Sequence, residues 1–216
     1  MWGAASPGES RWPAGVAVLA VIALQFALPS ALQFGPGWMW PALSLALFAS
    51  LVAANPNRLT VESRDVRELS LALVAVLIVA NASALVLLMQ ELLSSDHAIP
   101  GRRLLLSAVA IWARNVIAFG VWYWEIDRGG PIRRCTDQHG PPDFLFVQMM
   151  SPEVHRGAWS PRFIDYLYLS LTNSTAFSPT DTLPLTGRAK VLMGLQSLAS
   201  LATVAVVGAR AVNILS

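Results

Sequence analysis

The sequence predicts an all-α integral membrane protein with five transmembrane helices and one re-entrant half-helix hairpin between the fourth and the fifth. Three observations support this fold class. The 216-residue chain is 55% hydrophobic and only 13% charged, whereas typical soluble domains are about 25% charged. It contains several apolar runs of about the 20 residues that a bilayer-spanning helix needs. Tryptophan and tyrosine stand at the ends of these runs, as is typical of side chains at the headgroup level.

Four apolar runs are long enough to cross a hydrocarbon core, and a fifth is shorter but carries no charge. The motifs GPGW and NPNR bound the fifth run, and such Gly/Pro and Asn/Pro clusters interrupt helices. The richness in Ala, Arg, Leu and Val is typical of a bacterial source, so we predict a multi-pass protein of the inner membrane. The predicted spans are Trp12–Phe34, Trp38–Ala54, Glu68–Leu93, Arg103–Trp124 and Val191–Leu215.

The links between the spans divide the chain into three parts. Residues 1–125 form a predicted four-helix transmembrane region. Residues 126–159 form a polar extramembrane loop, because the stretch DRGGPIRRCTDQHGPPDF is rich in charge, glycine and proline and is expected to face solvent. Residues 160–216 contain a short apolar stretch, a polar return and the last span.

The segment that begins at Ser160 predicts a helix that enters the membrane halfway and returns. Ser160 and Pro161 are typical of the N-cap and the first position of a helix. The following FIDYLYLSLTNS gives about 12 helical residues, or about 18 Å, which is too short for a hydrocarbon core of about 30 Å. The return AFSPTDTLPLT is too polar to contact lipid, so we expect it to be buried in protein or to line a watery cavity.

The order apolar helix, half-helix, Thr-rich loop, D-x-x-P-x-T and apolar helix resembles the pore module of tetrameric potassium-channel-type proteins. Asp181, Pro184 and Thr186 supply the D-x-x-P-x-T tail. The same region, with DYLYLSLTNSTAFSPTDTLPLT and ARAVNIL, also resembles a family of small uncharacterised bacterial membrane proteins. The resemblance covers about Ser160 to Leu215. It implies a homotetramer whose central pore passes inorganic cations.

The loop departs from a potassium filter, which needs Thr-Val-Gly-Tyr-Gly because glycines allow the backbone to turn its carbonyl oxygens toward the ion. The residues between Thr175 and Asp181 include no glycine and an added proline. The sequence therefore argues against a potassium-type carbonyl ring. Two interpretations stay open: a less selective constriction lined by Thr175, Ser178, Thr180 and Asp181, and a hairpin that only fills the space between helices.

Two further features lie inside the predicted spans. Gln196, Ser200 and Thr203 form a mildly polar stripe on the last span, which suits a wetted pore surface and equally suits close helix packing. Arg114 lies in the middle of the fourth span, where an ionisable side chain usually faces a partner or a cavity. We expect it either to serve function or to pair with an acid from another span.

Two other functions remain as alternatives to a pore. A membrane enzyme acting on a lipid head would use Arg114 and the interfacial acids Glu125 and Asp127, and a non-conducting interaction protein would need none of them. Cys135 and His139 fall short of the four ligands of a structural zinc site, so we predict no metal, no cofactor and no catalytic residue. A net charge of +2 gives no reason to expect nucleic acid. The expected partners are membrane lipid, inorganic cations and further copies of the chain.

Overall fold

In the residues that it describes, the computed structural model contains α-helices, short 3-10 turns and one small β-pair. It describes residues 8–59, 63–94, 99–136, 140–150, 159–176 and 181–215, with side chains up to residue 208. The helices in these ranges are α1 (Trp12–Phe26), α2 (Met39–Ala54), α3 (Arg64–Leu93), α4 (Gly101–Ile126), α5 (Val147–Met150), α6 (Phe163–Ala176) and α7 (Gly187–Leu215). Strands β1 (Phe144–Leu145) and β2 (Leu183–Pro184) pair antiparallel.

Three helices, α3, α4 and α7, are long and apolar enough to cross a membrane. They confirm the prediction of an all-α membrane protein. Helices α1 and α2 are also apolar but have only 15 and 16 residues, which correspond to about 22 and 24 Å. The count of five spans therefore stays a prediction.

Helix α1 ends at Phe26, well before the predicted end of the first span at Phe34. The chain then passes through Pro29, which has no amide proton and cannot extend a helical hydrogen-bond ladder, into a short 3-10 turn at Ser30–Leu32. Hydropathy alone did not detect this end, because the residues on both sides of it are apolar. The other predicted spans agree with the observed helices to within about one helical turn.

Helix α4 lies at the centre of the bundle and packs against α1, α3, α6 and α7. Helix α6 approaches it closely at Gly120, where an added Cβ would lie 3.2 Å from the Leu167 Cα atom. One turn further, the Ser170 hydroxyl donates a hydrogen bond of 2.6 Å to the Val116 carbonyl. Small residues at such crossings let two backbones come close, so α6 is held along the C-terminal half of α4.

Several helix termini meet at one end of the bundle: the starts of α1, α3, α6 and α7 and the ends of α2 and α4. Arg11, just before α1, illustrates the arrangement, because its guanidinium donates hydrogen bonds to the carbonyls of Leu51 and Asn55 near the end of α2. We call this region the charged end. It is defined by the side chains of Glu9, Arg67, Glu125, Asp127, Arg134, Asp143 and Arg188.

The link between α4 and α6 contributes to the charged end, and the prediction that it faces solvent is wrong for four of its residues. Asp127, Arg128, Arg134 and Asp143 are all buried. A count of charges along the sequence overestimates exposure here, because buried charges become acceptable when each is paired or hydrogen-bonded. These four residues of the link thus form part of the packed structure.

Helix α6 begins at Phe163, slightly later than the predicted start at Pro161, and has 14 residues or about 21 Å. Its first amide donates a hydrogen bond of 2.6 Å to Glu9 Oε1, so a distant residue caps the helix, whereas Ser160 was predicted to do so. Strand β2 pairs with β1, and the Thr186 hydroxyl donates to the Asp143 carboxylate at 2.6 Å. Helix α7 therefore begins at the charged end, where α6 also begins.

Candidate functional site

A buried polar network joins α4, α6 and α7 through the side chain of Gln196, which is fully buried. Its Oε1 atom accepts hydrogen bonds from the Tyr123 hydroxyl at 2.5 Å and from Asn173 Nδ2 at 2.9 Å. Its Nε2 atom donates to the Ser174 hydroxyl at 2.7 Å and to the Ser170 hydroxyl at 2.5 Å. The oxygen and the nitrogen of this amide are thus both used, and together they fix the short helix between two long ones.

The rest of the polar stripe on α7 is also buried. The Asn115 side chain of α4 donates a hydrogen bond of 3.0 Å to the Ser200 hydroxyl, and Thr203 donates to the Ala199 carbonyl of its own helix at 2.8 Å. Gln196, Ser200 and Thr203 therefore face neighbouring helices of the same chain. This placement favours helix packing over a pore-facing surface, two roles that the composition of the stripe left open.

The return segment carries the other side chains that were predicted to line a pore. Thr175 lies in the last turn of α6 with an exposed side chain. Asp181 is exposed as well, and its carboxylate accepts a hydrogen bond from the Thr182 hydroxyl at 3.4 Å. Ser178 and Thr180 lie outside the residues that the structure describes. Thr175 and Asp181 thus stand at the two ends of one short return.

Asp143 anchors the end of the return and the start of α7. Its buried carboxylate accepts one hydrogen bond from the Thr186 hydroxyl and two from Arg188, whose Nε and Nη2 atoms lie 2.6 and 2.5 Å from the two carboxylate oxygens. Paired bonds of this kind between arginine and a carboxylate are strong and geometrically specific. Sequence reasoning missed Asp143, because an acid beside two prolines in a charged loop gives no indication of its partners.

Asp127 is a second buried carboxylate next to this anchor. Its Oδ1 atom accepts a hydrogen bond from the Asp143 amide at 2.7 Å, and its Oδ2 atom accepts one from the Tyr166 hydroxyl at 2.5 Å. The Arg134 guanidinium lies over the Tyr166 ring, 4.9 Å from its centre. Asp127 therefore ties α6 to the link.

Glu125 has a different partner. Its Oε2 atom lies 2.7 Å from Arg67 Nη1, beside a cavity of about 50 Å³ that is also lined by Arg11. Gly130 makes room for this pair: its φ is 110°, and a Cβ atom there would lie 2.5 Å from Arg67 Nη1. Glu125 and Asp127 thus serve two separate sets of contacts, which is the arrangement expected of structural ion partners.

Glu9 connects the N-terminal part of the chain to the half-length helix α6. Its two carboxylate oxygens accept hydrogen bonds from the Phe163 amide at 2.6 Å and from the Trp124 indole at 2.9 Å. A carboxylate at the first turn of a helix is further stabilised by the partial positive charge there. No local motif in the sequence indicated these contacts, because the partners are far apart along the chain.

Arg114 is almost completely buried, with 1% exposure, in the middle of α4. Within the described ranges no acid forms an ion pair with it, and its Nε atom has no hydrogen-bond partner. The predicted ion pair with another span is therefore not found there. Arg114 shares a cavity of about 10 Å³ with Gln25, and both polar atoms of that amide lack partners too. About 16 Å of helix separates Arg114 from Glu125, so the predicted enzyme residues do not form one cluster.

No three His, Cys, Asp or Glu side chains converge as metal ligands in the part of the chain that the structure describes.

Comparison with protein-family models, with curated proteins and with solved structures finds no match to this chain. The fold and its contacts define the class of protein: an all-α membrane protein in which a short helix packs between two long ones and is fixed by buried polar and ionic contacts. A function has to be argued from that arrangement.

Proposed function

We propose that the chain is a multi-pass protein of the bacterial inner membrane that forms a homo-oligomeric pore for small cations. The path of the chain around α6 is the observation that carries this proposal. Helix α6 leaves the charged end, and the chain is back at that end when α7 begins. A helix of about 21 Å is too short to cross a core of about 30 Å. The proposal therefore makes α6 a re-entrant half-helix and gives the chain five spans.

In the proposed pore, α6 is the half-helix that brings the return to the pore axis, and α4 and α7 pack on either side of it. The constriction lies at the return, where the side chains of Thr175 and Asp181 are exposed. The C-terminal end of a helix carries partial negative charge, and rings of acidic side chains favour cations. Ser178 and Thr180 belong to this proposal on the strength of the sequence alone.

A single return segment cannot enclose a pathway, so the proposal requires several copies of the chain. The resemblance to tetrameric channels implies four. The outward face of α7 offers an apolar surface for lipid or for a neighbouring copy. Its exposed side chains are Val191, Leu195, Leu198, Leu201 and Val204.

Cation flux from liposomes that contain the purified protein tests the proposal. Asp181→Asn should lower the flux several-fold and shift the reversal potential toward anions, because the carboxylate raises the local cation concentration. Glu68→Gln is the matched control, since Glu68 is an exposed acid on α3 that pairs only with the exposed Arg64 at 2.8 Å in the described contacts. The control should conduct as the unmodified protein does.

Two results would contradict the proposal. Flux no greater than that of protein-free liposomes would remove the conducting function and favour the non-conducting interaction protein. Selectivity that stays the same in a folded Asp181→Asn variant would remove Asp181 from the pathway. The oligomeric state in mild detergent gives an independent check, because a stable monomer contradicts any pore built from converging hairpins.

A further inference from the structure

A depression of about 570 Å³ opens beside the start of α6 at the charged end. It lies between the residues that precede α1, the connection after α2, the turn at Arg133–Cys135 and the first residues of α6. It shares no residue with the return segment, so it is independent of the proposed pore. The side chains used in the argument are Glu9, Arg58, Arg134, Arg162 and Ile164.

Basic side chains predominate in the described lining of this depression. Arg58, Arg134 and Arg162 face a single lining acid, Glu9. Both oxygens of Glu9 already accept hydrogen bonds from the Phe163 amide and the Trp124 indole. Outside the lining, Asp165 accepts a hydrogen bond from the Arg162 main-chain amide at 2.7 Å. The lining residues that the structure describes therefore carry an excess of positive charge.

Arg134 provides a buried donor in the wall of the depression. It is 3% exposed, and its Nη1 atom donates to the carbonyls of Trp124 and Asp127 at 2.8 and 3.1 Å. Its Nη2 atom has no hydrogen-bond partner and lies 3.7 Å from Glu9 Oε2, beyond hydrogen-bond distance. A buried guanidinium N–H without an acceptor is costly. The wall of the depression thus contains a buried guanidinium whose Nη2 atom has no hydrogen-bond partner and lies near Glu9, between two exposed arginines.

The exposed apolar side chains around the depression indicate the source of an anionic ligand. Ile164 is 62% exposed, and Trp12, next to the lining residue Pro13, is 52% exposed. Exposed tryptophan is typical of the headgroup level of a membrane, and an exposed isoleucine beside it can lie against an acyl chain. We infer that the depression binds the phosphodiester of an anionic phospholipid. Arg58 and Arg162 contact the phosphate oxygens, the buried Arg134 adds positive charge beside them, and an acyl chain lies over Ile164.

Arginine suits this ligand for a physical reason. Its planar fork of N–H groups matches the oxygens of a phosphate, and its charge is less strongly hydrated than an ammonium group. Basic pockets between membrane helices bind the head groups of anionic lipids in the same way. A zwitterionic lipid has the same phosphodiester but carries a cationic group, which the excess of positive charge in the lining disfavours.

Thermal unfolding of the full chain in neutral detergent tests the inference. Saturating phosphatidylglycerol should raise Tm by about 5 °C or more, and phosphatidylcholine at the same mole fraction should raise it much less. The double variant Arg58→Gln and Arg162→Gln should lose the rise, because it removes two of the three cations. Both residues are exposed, so the fold should persist, and Arg162→Gln alone should lose part of the rise.

The matched control is Arg64→Gln, which removes an exposed arginine that lies at the start of α3 and outside the depression. This variant should keep the full rise in Tm with phosphatidylglycerol. An equal rise in the double variant, or equal rises with the two lipids, would overturn the inference. Inorganic phosphate serves as a third probe: a rise with phosphate and none with phosphatidylglycerol would exclude lipid as the source.

Discussion

Two buried glutamines with opposite surroundings allow a sharp test of how the bundle is held together. Gln196 and Gln25 are 0% and 3% exposed. Gln196 exchanges hydrogen bonds with side chains of α4 and α6, whereas neither polar atom of the Gln25 amide has a partner. Leucine has nearly the volume of glutamine. The same substitution at both sites therefore removes the amide while creating little cavity.

The number of hydrogen bonds that Gln196 makes sets the expected loss of stability in Gln196→Leu. Gln196→Leu breaks bonds to Tyr123, Asn173, Ser170 and Ser174. Polar contacts between membrane helices contribute about 0.6 kcal/mol each on average, so the loss is about 2–3 kcal/mol. That loss should lower Tm by about 5–10 °C for a chain of this size.

Gln25→Leu should leave Tm unchanged or raise it by a few degrees. A buried amide without a partner destabilises the folded state by about 1–3 kcal/mol, and leucine removes that penalty. Thermal unfolding of both variants in the same detergent measures the contrast. If Gln25→Leu lowered Tm as much as Gln196→Leu, or if Gln196→Leu had no effect, the assignment of Gln196 as the link between α6 and the long helices would be wrong.

Three more substitutions test the charged end by thermal unfolding. Arg67→Met should lower the free energy of unfolding by about 3 kcal/mol, because it removes the closest cation of the buried Glu125. Adding Glu125→Leu should restore most of that stability, and a double variant as unstable as the single one would contradict this. Tyr166→Phe should lower the free energy of unfolding by about 1–2 kcal/mol, because it removes the hydrogen bond to the buried Asp127 carboxylate. An unchanged stability would argue against that hydrogen bond. Gly130→Ala should destabilise the protein by about 1–3 kcal/mol, because Gly130 has a positive φ and the added Cβ atom would meet the Arg67 guanidinium. The control is Gly194→Ala, whose added Cβ atom would meet no atom within 4 Å. This variant should be neutral or slightly stabilising.

The sequence predicted the helices well because length and apolar composition are local properties. The long helices α3, α4 and α7 coincide with predicted spans to within about one turn. The end of α1 at Phe26 was missed because hydropathy does not change there. The periodicity of Gln196, Ser200 and Thr203 correctly placed them on one face of a helix. It carried no information on whether that face points to α4 and α6 or to a pore.

The charged end was much harder to predict, because its partners come from distant parts of the chain. Asp143 meets Arg188, and Glu9 meets Phe163, and no local motif marks either pair. The composition of the link suggested solvent exposure for Asp127, since an isolated charge is costly to bury. Only the three-dimensional structure reveals the hydrogen bonds that make its burial acceptable.

The contacts at the charged end also determine which parts of the chain share one side of the bilayer. Glu9 touches the start of α6, and Asp143 touches the start of α7, so these segments have the same sidedness whichever leaflet they face. The five-span topology proposed above agrees with this, because it gives an even number of crossings between Glu9 and Phe163. Cys135, the only cysteine of the chain, is half-buried and lines the depression beside Phe163. A membrane-impermeant thiol reagent applied to intact and to permeabilised cells would therefore report the orientation of the proposed topology at this one residue, because labelling that requires permeabilisation places the charged end inside the cell.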